Sequence, residues 1–214
     1  MNKPYPYRDF IRVQKRVEAA LLDSQDPYIL IVGDTGTGKT ALLQRLKASL
    51  DRARFRICYF SAACRLGAPG LVRVVSEALR VRASMNHALT LDRLLRALAE
   101  ETSKLLLWFD EAHDLPKETL GEARALVESD LDGACRVQVI LAGLPRLAAD
   151  LKQEPHLWRR ISIRDELLGL GRDEMPEFIT HHFGAAAAKR LCDKGQDAVF
   201  ENGKGSPGLL LPVL

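Results

Sequence analysis

The sequence predicts an α/β fold in which a parallel sheet is covered by helices on both faces, followed by a short all-helical segment. Three observations predict it. Four largely apolar runs of strand length, with the mixed run "ISIRDEL" as a possible fifth, alternate with helix-like stretches between residues 28 and 167, and nearly unbroken apolar strands are what a sheet buried on two sides requires. A glycine-rich loop joins the first run to a helix, the junction at which such folds bind ligands. After "LLGLGRDE" (167–174) the strand signal stops and only helical patterning remains.

The elements follow in order. A helical period runs from about Tyr7 to Leu22, ahead of the buried strand "YILIV" (28–32). "GDTGTGKT" (33–40) turns into the helix "ALLQRLKASL". A second strand, "RICYFS" (56–61), leads through "LGAPG" to helical stretches at about 70–82 and 90–102. The third, "KLLLWF" (104–109), ends in "DEAHD". The helix "KETLGEARALVES" then precedes the fourth strand, "RVQVILAG" (136–143), and "ISIRDEL" (161–167) reads as the fifth. Gly169 and Gly171 read as a hinge between a core of residues 1–168 and a small helical lid of residues 169–214. The closing "LLLPVL" is too short and apolar for a solvated tail and is expected to pack against the protein.

A chain of 214 residues has room for one ordinary domain and a small appendage. With 47% hydrophobic and 28% charged residues it has a soluble globular composition. No apolar run approaches the roughly 18–20 residues that span a bilayer, and the charged N-terminus lacks the apolar stretch of a secretory signal. The expectation is a cytoplasmic protein without membrane contact. Cys58, Cys64, Cys135 and Cys192 form no Cys-x-x-Cys pair, which argues for reduced core thiols over a zinc site or disulfide framework. A net charge of +3 and a pI near 8.7 permit nucleic-acid contact without implying it. Arginines crowd the first half, which suits a solvated face or a phosphate-facing one.

The chemistry starts at the glycine loop. Gly33, Gly38, Lys39 and Thr40 match the Walker A pattern between a strand and a helix, and predict a P-loop NTPase three-layer sheet. Together with Asp34, Thr35, Gly36, Thr37 and Ala41 they are the expected cradle for ATP. Backbone N–H groups and the helix N-terminus face the phosphates, Lys39 reaches the β- and γ-phosphates, and Thr40 holds Mg2+. Hydrolysis needs a second acidic site, and the third strand supplies Asp110 to support Mg2+ and Glu111 to polarise the attacking water. About seventy residues separate the motifs. That leaves room for "RICYFS" as an intervening strand, so the acidic strand need not neighbour the phosphate-loop strand. "DEAH" is not expected to mark a helicase of that type, which needs a second motor domain that 214 residues leave no room for. His113 reads as a polar residue at the nucleotide's edge. Arg159 and Arg160, just before the fifth strand, read equally as a surface pair or as arginines that reach a neighbouring subunit's γ-phosphate.

Walker A at 33–40, "LLLWFDEAHDLPKETLGEARALVESDLDGACRVQVILAGLPRL" at 105–147, "LWRRI" and "LLGLGRDEMPEFITHHF" together resemble a family. It is the compact AAA+ ATPases that include the ExeA-like secretion ATPases and the transposition ATPases TniB and phage Mu B. The likeness covers about residues 8–208. It implies an AAA+ core with a helical lid, ATP-dependent rings or helical filaments, and Arg160 as the arginine acting across subunits. In the transposition branch it also implies duplex DNA threaded through the assembly and a transposase or other recombination protein as partner. Two departures, Leu144 where relatives often carry a polar sensor and Gly208 where they carry a lid arginine, imply slow hydrolysis. The leading expectation is an ATPase that assembles on DNA, with Arg65 and Arg73 facing phosphates, and regulates transposition. The alternative is an ATPase that assembles or remodels a protein complex without DNA, as in the secretion branch, whose members add a membrane span and a cell-wall module not found here. A nucleotide-binding scaffold with negligible turnover is a third.

Overall fold

Each of the five runs forms a strand: β1 (Tyr28–Val32), β2 (Phe55–Phe60), β3 (Lys104–Phe109), β4 (Val137–Gly143) and β5 (Ile161–Glu166). The structure is a computed structural model that describes residues 4–23, 27–61, 67–128, 135–190 and 193–210. The strands pair in the order β2-β3-β4-β1-β5, every neighbour parallel. Successive side chains of a strand point to opposite faces, and here both faces are apolar. On β1, Tyr28, Leu30 and Val32 enter one cluster while Ile29 and Ile31 enter the other; on β3, Leu105, Leu107 and Phe109 are divided in the same way from Leu106 and Trp108.

Helices cover both faces. On one side lie α3 (Ala68–Ala78), α4 (His87–Glu100), α5 (Lys117–Glu128), α6 (Arg146–Lys152) and α7 (Pro155–Trp158), which contribute residues such as Leu71, Leu94, Leu126, Leu147 and Leu157. On the other lie α1 (Arg8–Asp23) and α2 (Lys39–Ser49). In α1 the buried residues Phe10, Val13, Val17, Ala20 and Leu21 recur at helical spacing, so one stripe faces the sheet. Both helices between β2 and β3 start and stop earlier than the periodicity suggests. Pro69 pre-sets the first turn of α3 after Gly67, and the Asn86 side chain caps α4 by accepting the Leu89 N–H at 3.2 Å.

The acidic strand β3 and the phosphate-loop strand β1 are not neighbours, as the spacing suggests, but the strand between them is β4 rather than "RICYFS". Chain length permits a skipped position without saying what fills it. Burial decides: β4 is buried at every residue and takes the centre, whereas β2 exposes Tyr59 and part of Arg56 and Ile57 and takes the edge.

Beyond Gly171 the described chain is helical: α8 (Met175–Phe183), α9 (Ala185–Arg190), α10 (Asp193–Gly203) and α11 (Pro207–Leu210). Met175, Phe178, Ile179 and Leu210 enter the same apolar cluster as α1 and α2. Charges join α1 to β5 and to the stretch after it. Asp165, buried, takes Arg12 and Arg16 on one oxygen at 2.7 Å each, and Glu174 accepts the Arg8 and Gly171 N–H groups at 2.7 and 2.9 Å. At the glycines read as a hinge two backbones meet closely: the Leu170 N–H donates to the Gly205 carbonyl at 2.7 Å, and a Cβ on Gly169 would stand 2.6 Å from that oxygen. Of the closing apolar run, Leu210 is buried, Leu209 is partly exposed, and residues 211–214 lie outside the described residues. Cys58 and Cys135 are buried thiols; Cys64 and Cys192 lie outside the described residues. Among the described residues no helix is long and apolar enough to cross a membrane.

Candidate nucleotide site

Parallel strands place every loop that follows a strand at one edge of the sheet. The loop after β1 and the turn after β3 therefore meet on either side of the end of β4. The Gly33 N–H donates to the Gly143 carbonyl at 3.1 Å, which fixes the start of the loop to β4. Gly38, with φ +95°, is the cap from which α2 springs, a conformation that favours glycine. The Tyr7 hydroxyl, buried beneath the loop, donates to the Thr37 carbonyl at 2.6 Å, and the Thr37 hydroxyl donates to the Asp34 carbonyl at 2.9 Å.

Lys39 folds back over this loop, its Nζ donating to the Gly33 and Asp34 carbonyls at 2.9 Å each. Burial lowers the pKa of its ammonium from the usual lysine value, against the opposing pull of Glu111, Asp110 and Asp34. The Thr40 hydroxyl donates to Asp110 Oδ2 at 2.7 Å. Asp110 is buried at the end of β3, where Oδ2 also accepts the Tyr59 hydroxyl at 2.8 Å and Oδ1 accepts the Glu111 N–H at 3.0 Å. A hydroxyl and a carboxylate in direct contact are hard oxygen donors of the kind Mg2+ takes, so Thr40 and Asp110 could hold it between them. Glu111, with φ +53° and ψ +41°, is partly exposed and faces the same cleft.

That cleft has a volume near 720 Å³ and extends from Lys39 and Thr40 past Gly36 to Tyr5, Phe10, His182 and Pro207. It is lined by residues 36–40 of the phosphate loop and by the aromatic side chains of Tyr5, Tyr7 and Phe10, a size and lining of the kind small-molecule sites have. The N-terminal aromatics and Tyr59 belong to no motif, and His182 and Phe183 fall in the segment "LLGLGRDEMPEFITHHF" without any signal that ties them to a site. Tyr5 is held by Glu177 at 2.9 Å and packs edge-on against Phe178, and burial, with that hydrogen bond, pushes its hydroxyl pKa up to about 12. His113 is nearer the acidic turn than a residue at the nucleotide's edge: its ring is buried against Glu111 and the end of β4.

The predicted residues of the loop, Asp110 and Glu111 thus come together, and the arginines do not. Arg160 precedes β5 at the opposite edge of the sheet and pairs with Glu128 at 2.7 Å. Arg73 is exposed on α3, and Arg65 lies outside the described residues. Arg56, one of the first-half arginines, is engaged with Glu101 and the Ala78 carbonyl.

Residues 22–151 match the family described as AAA domain. No curated protein matches the chain in sequence. Among solved structures it is similar to Cdc6p from Pyrobaculum aerophilum, at 17% identity and a TM-score of 0.71 over 99% of this chain and 60% of that one. It is also similar to the ORC2 protein of Aeropyrum pernix in ADPNP–ADP complexes, at 17% identity and 0.67 over 93% and 58%. A third likeness is to a chain of Drosophila ORC bound to DNA, at 18% identity and 0.64 over 96% and 53%. The chain therefore spans no more than three fifths of the length of these proteins, and the likeness is one of fold.

Proposed function

The chain belongs to the AAA domain family, and on that premise we propose that it is an AAA+ ATPase that binds ATP with Mg2+, hydrolyses it slowly, and assembles on duplex DNA when ATP is bound. Within that family we place it with the TniB and phage Mu B group, as a regulator of transposition that selects target DNA and recruits a transposase. The observation that carries the ATPase reading is the contact between Thr40 and Asp110, from motifs about seventy residues apart, beside a cleft that Lys39 and Glu111 both line. In this reading Lys39 exchanges its two loop carbonyls for phosphate oxygens. Glu111 orients the attacking water from the open side of the cleft. Thr40 and Asp110 would hold Mg2+, whose charge would offset that of the phosphates. Arg160 sits at the far edge of the sheet, so its part belongs to the neighbouring subunit's nucleotide, and it must leave Glu128 to play it. Arg160→Ala is accordingly expected to spare ATP binding and to lower turnover only in the assembled protein. Core and lid, residues 1–168 and 169–214, act as the two halves that enclose the nucleotide.

The support for DNA is a basic chain, the exposed Arg73, and a fold shared with a protein solved on DNA. Phosphate contacts of that type carry little sequence preference and weaken with salt. The test is retention of labelled duplex DNA on filters with a non-hydrolysable ATP analogue, with ADP, and with neither. Retention only with the analogue, lost in Lys39→Ala, is expected, and Glu111→Gln should trap an ATP-bound oligomer. Nucleotide-dependent assembly with no DNA retained at low salt would instead favour the ExeA-like role in assembling a protein complex.

A further inference from the structure

Glu111 and His113 leave the same turn after β3 and come back together. The His113 imidazole is almost wholly buried, 5% exposed, with Nδ1 3.4 Å from Glu111 Oε2. The same nitrogen lies 3.3 Å from the backbone N of Leu144, whose N–H it accepts. These two contacts exclude one another. An imidazole Nδ1 carries either a lone pair in the ring plane, which accepts an N–H, or a proton, which it donates to a carboxylate. We propose that His113 is a positioning residue for Glu111, a latch that holds the carboxylate in its working direction by donating Nδ1–H and lets it go when Nδ1 instead accepts the Leu144 N–H. The inference rests on the reading of Glu111 as the group that orients water.

The surroundings make the choice sensitive to the phosphate loop. A Cβ on Gly143 would stand 3.0 Å from His113 Nδ1 and 2.9 Å from Leu147 Cδ2, so the ring is wedged against the end of β4. Residue 144 brings no polar side chain, and its N–H is what this strand end offers. On the other side the Gly143 carbonyl accepts the Gly33 N–H, the first group of the phosphate loop. A shift of that loop therefore moves the Leu144 N–H relative to Nδ1. Asp114 anchors the turn through Arg146 at 2.7 Å, and its second oxygen lies 3.7 Å from His113 Nε2, so a carboxylate stands beside each ring nitrogen. Glu111 in turn has a left-handed backbone uncommon for a glutamate. Its direction is set at the Cα, and the neighbour at 3.4 Å decides which way its carboxylate faces.

The experiment compares turnover and binding of a fluorescent ATP analogue in His113→Ala, His113→Gln, His113→Asn and Glu111→Gln. An asparagine amide stands where Nδ1 stands and offers both a donor and an acceptor, whereas a glutamine amide reaches the Nε2 position. Alanine and glutamine are expected to lower kcat by roughly 10- to 100-fold with analogue binding little changed, and asparagine to restore most of it. Wild-type turnover in His113→Ala, loss of binding in parallel with turnover, or glutamine matching asparagine overturns the latch. Wild-type turnover in Glu111→Gln sinks the reading of Glu111 and the latch with it; an inactive Glu111→Gln beside a fully active His113→Ala overturns the latch alone.

Discussion

Replacing Gly33 by alanine tests whether the first glycine of the loop is demanded by phosphate or by the protein itself. A Cβ there would stand 2.6 Å from the Leu167 carbonyl oxygen, 2.9 Å from Thr37 Oγ1 and 3.3 Å from Leu167 Cβ. An ordinary carbon–oxygen contact is about 3.3 Å, so the backbone must part by about 0.7 Å. The chain cannot give easily, because the Leu167 N–H is bonded to the Val32 carbonyl at 2.8 Å and the Gly33 N–H to the Gly143 carbonyl at 3.1 Å. Overpacking of this kind costs about 1–3 kcal/mol. With about 2–4 °C of Tm per kcal/mol for a domain of this size, Gly33→Ala should melt roughly 2–12 °C lower with no nucleotide present. Gly121 is the control: it lies exposed inside α5, and a methyl group added there would meet nothing within 4 Å. Gly121→Ala should gain about 0.5–1 kcal/mol and melt higher by a few degrees. The assay is thermal unfolding of both variants with and without an ATP analogue. A nucleotide-free Gly33→Ala that melts with the wild type, losing only its shift with the analogue, would refute the packing argument and return the glycine to phosphate alone.

Other outcomes follow from single contacts. Tyr59→Phe removes one of the two hydroxyls on Asp110 Oδ2. Losing that hydrogen bond, about 0.5–1.5 kcal/mol, should weaken Mg2+-dependent nucleotide binding about 2- to 10-fold, and a magnesium titration with an unchanged midpoint counts against it. His182 lines the cleft, and burial, with His181 beside it, lowers its pKa from the ordinary 6.5. The unfolded chain then protonates first, so stability falls as pH drops below 6.5 and levels off once the folded histidine also charges. His182→Gln should flatten that acid limb in urea-midpoint measurements against pH, and an identical limb disproves the assignment. Asn86→Ala removes the cap of α4 and should cost about 1 kcal/mol, read as a Tm lower by about 2–4 °C.

The sequence by itself determined the layers and the phosphate loop. Apolar runs at 28–32 and 104–109, too short for helices and bounded by polar and glycine-containing loops, read as strands buried on both faces, and a glycine loop between such a strand and a helix has one favoured use. Lys39, Thr40, Asp110 and Glu111 were legible for the same reason, since each sits at a fixed offset from the end of a strand. Tertiary structure decided everything that depends on which strand lies beside which. It put β4 between the two motifs, sent β2 and Tyr59 to the edge beside Asp110, and wedged His113 between Glu111 and Leu144. It also brought Tyr5, Tyr7 and His182, from opposite ends of the chain, to one cleft. Periodicity reports which face of an element is buried and is silent about the neighbour it meets. Contacts between distant residues leave no spacing in the chain, and only the folded backbone brings them together.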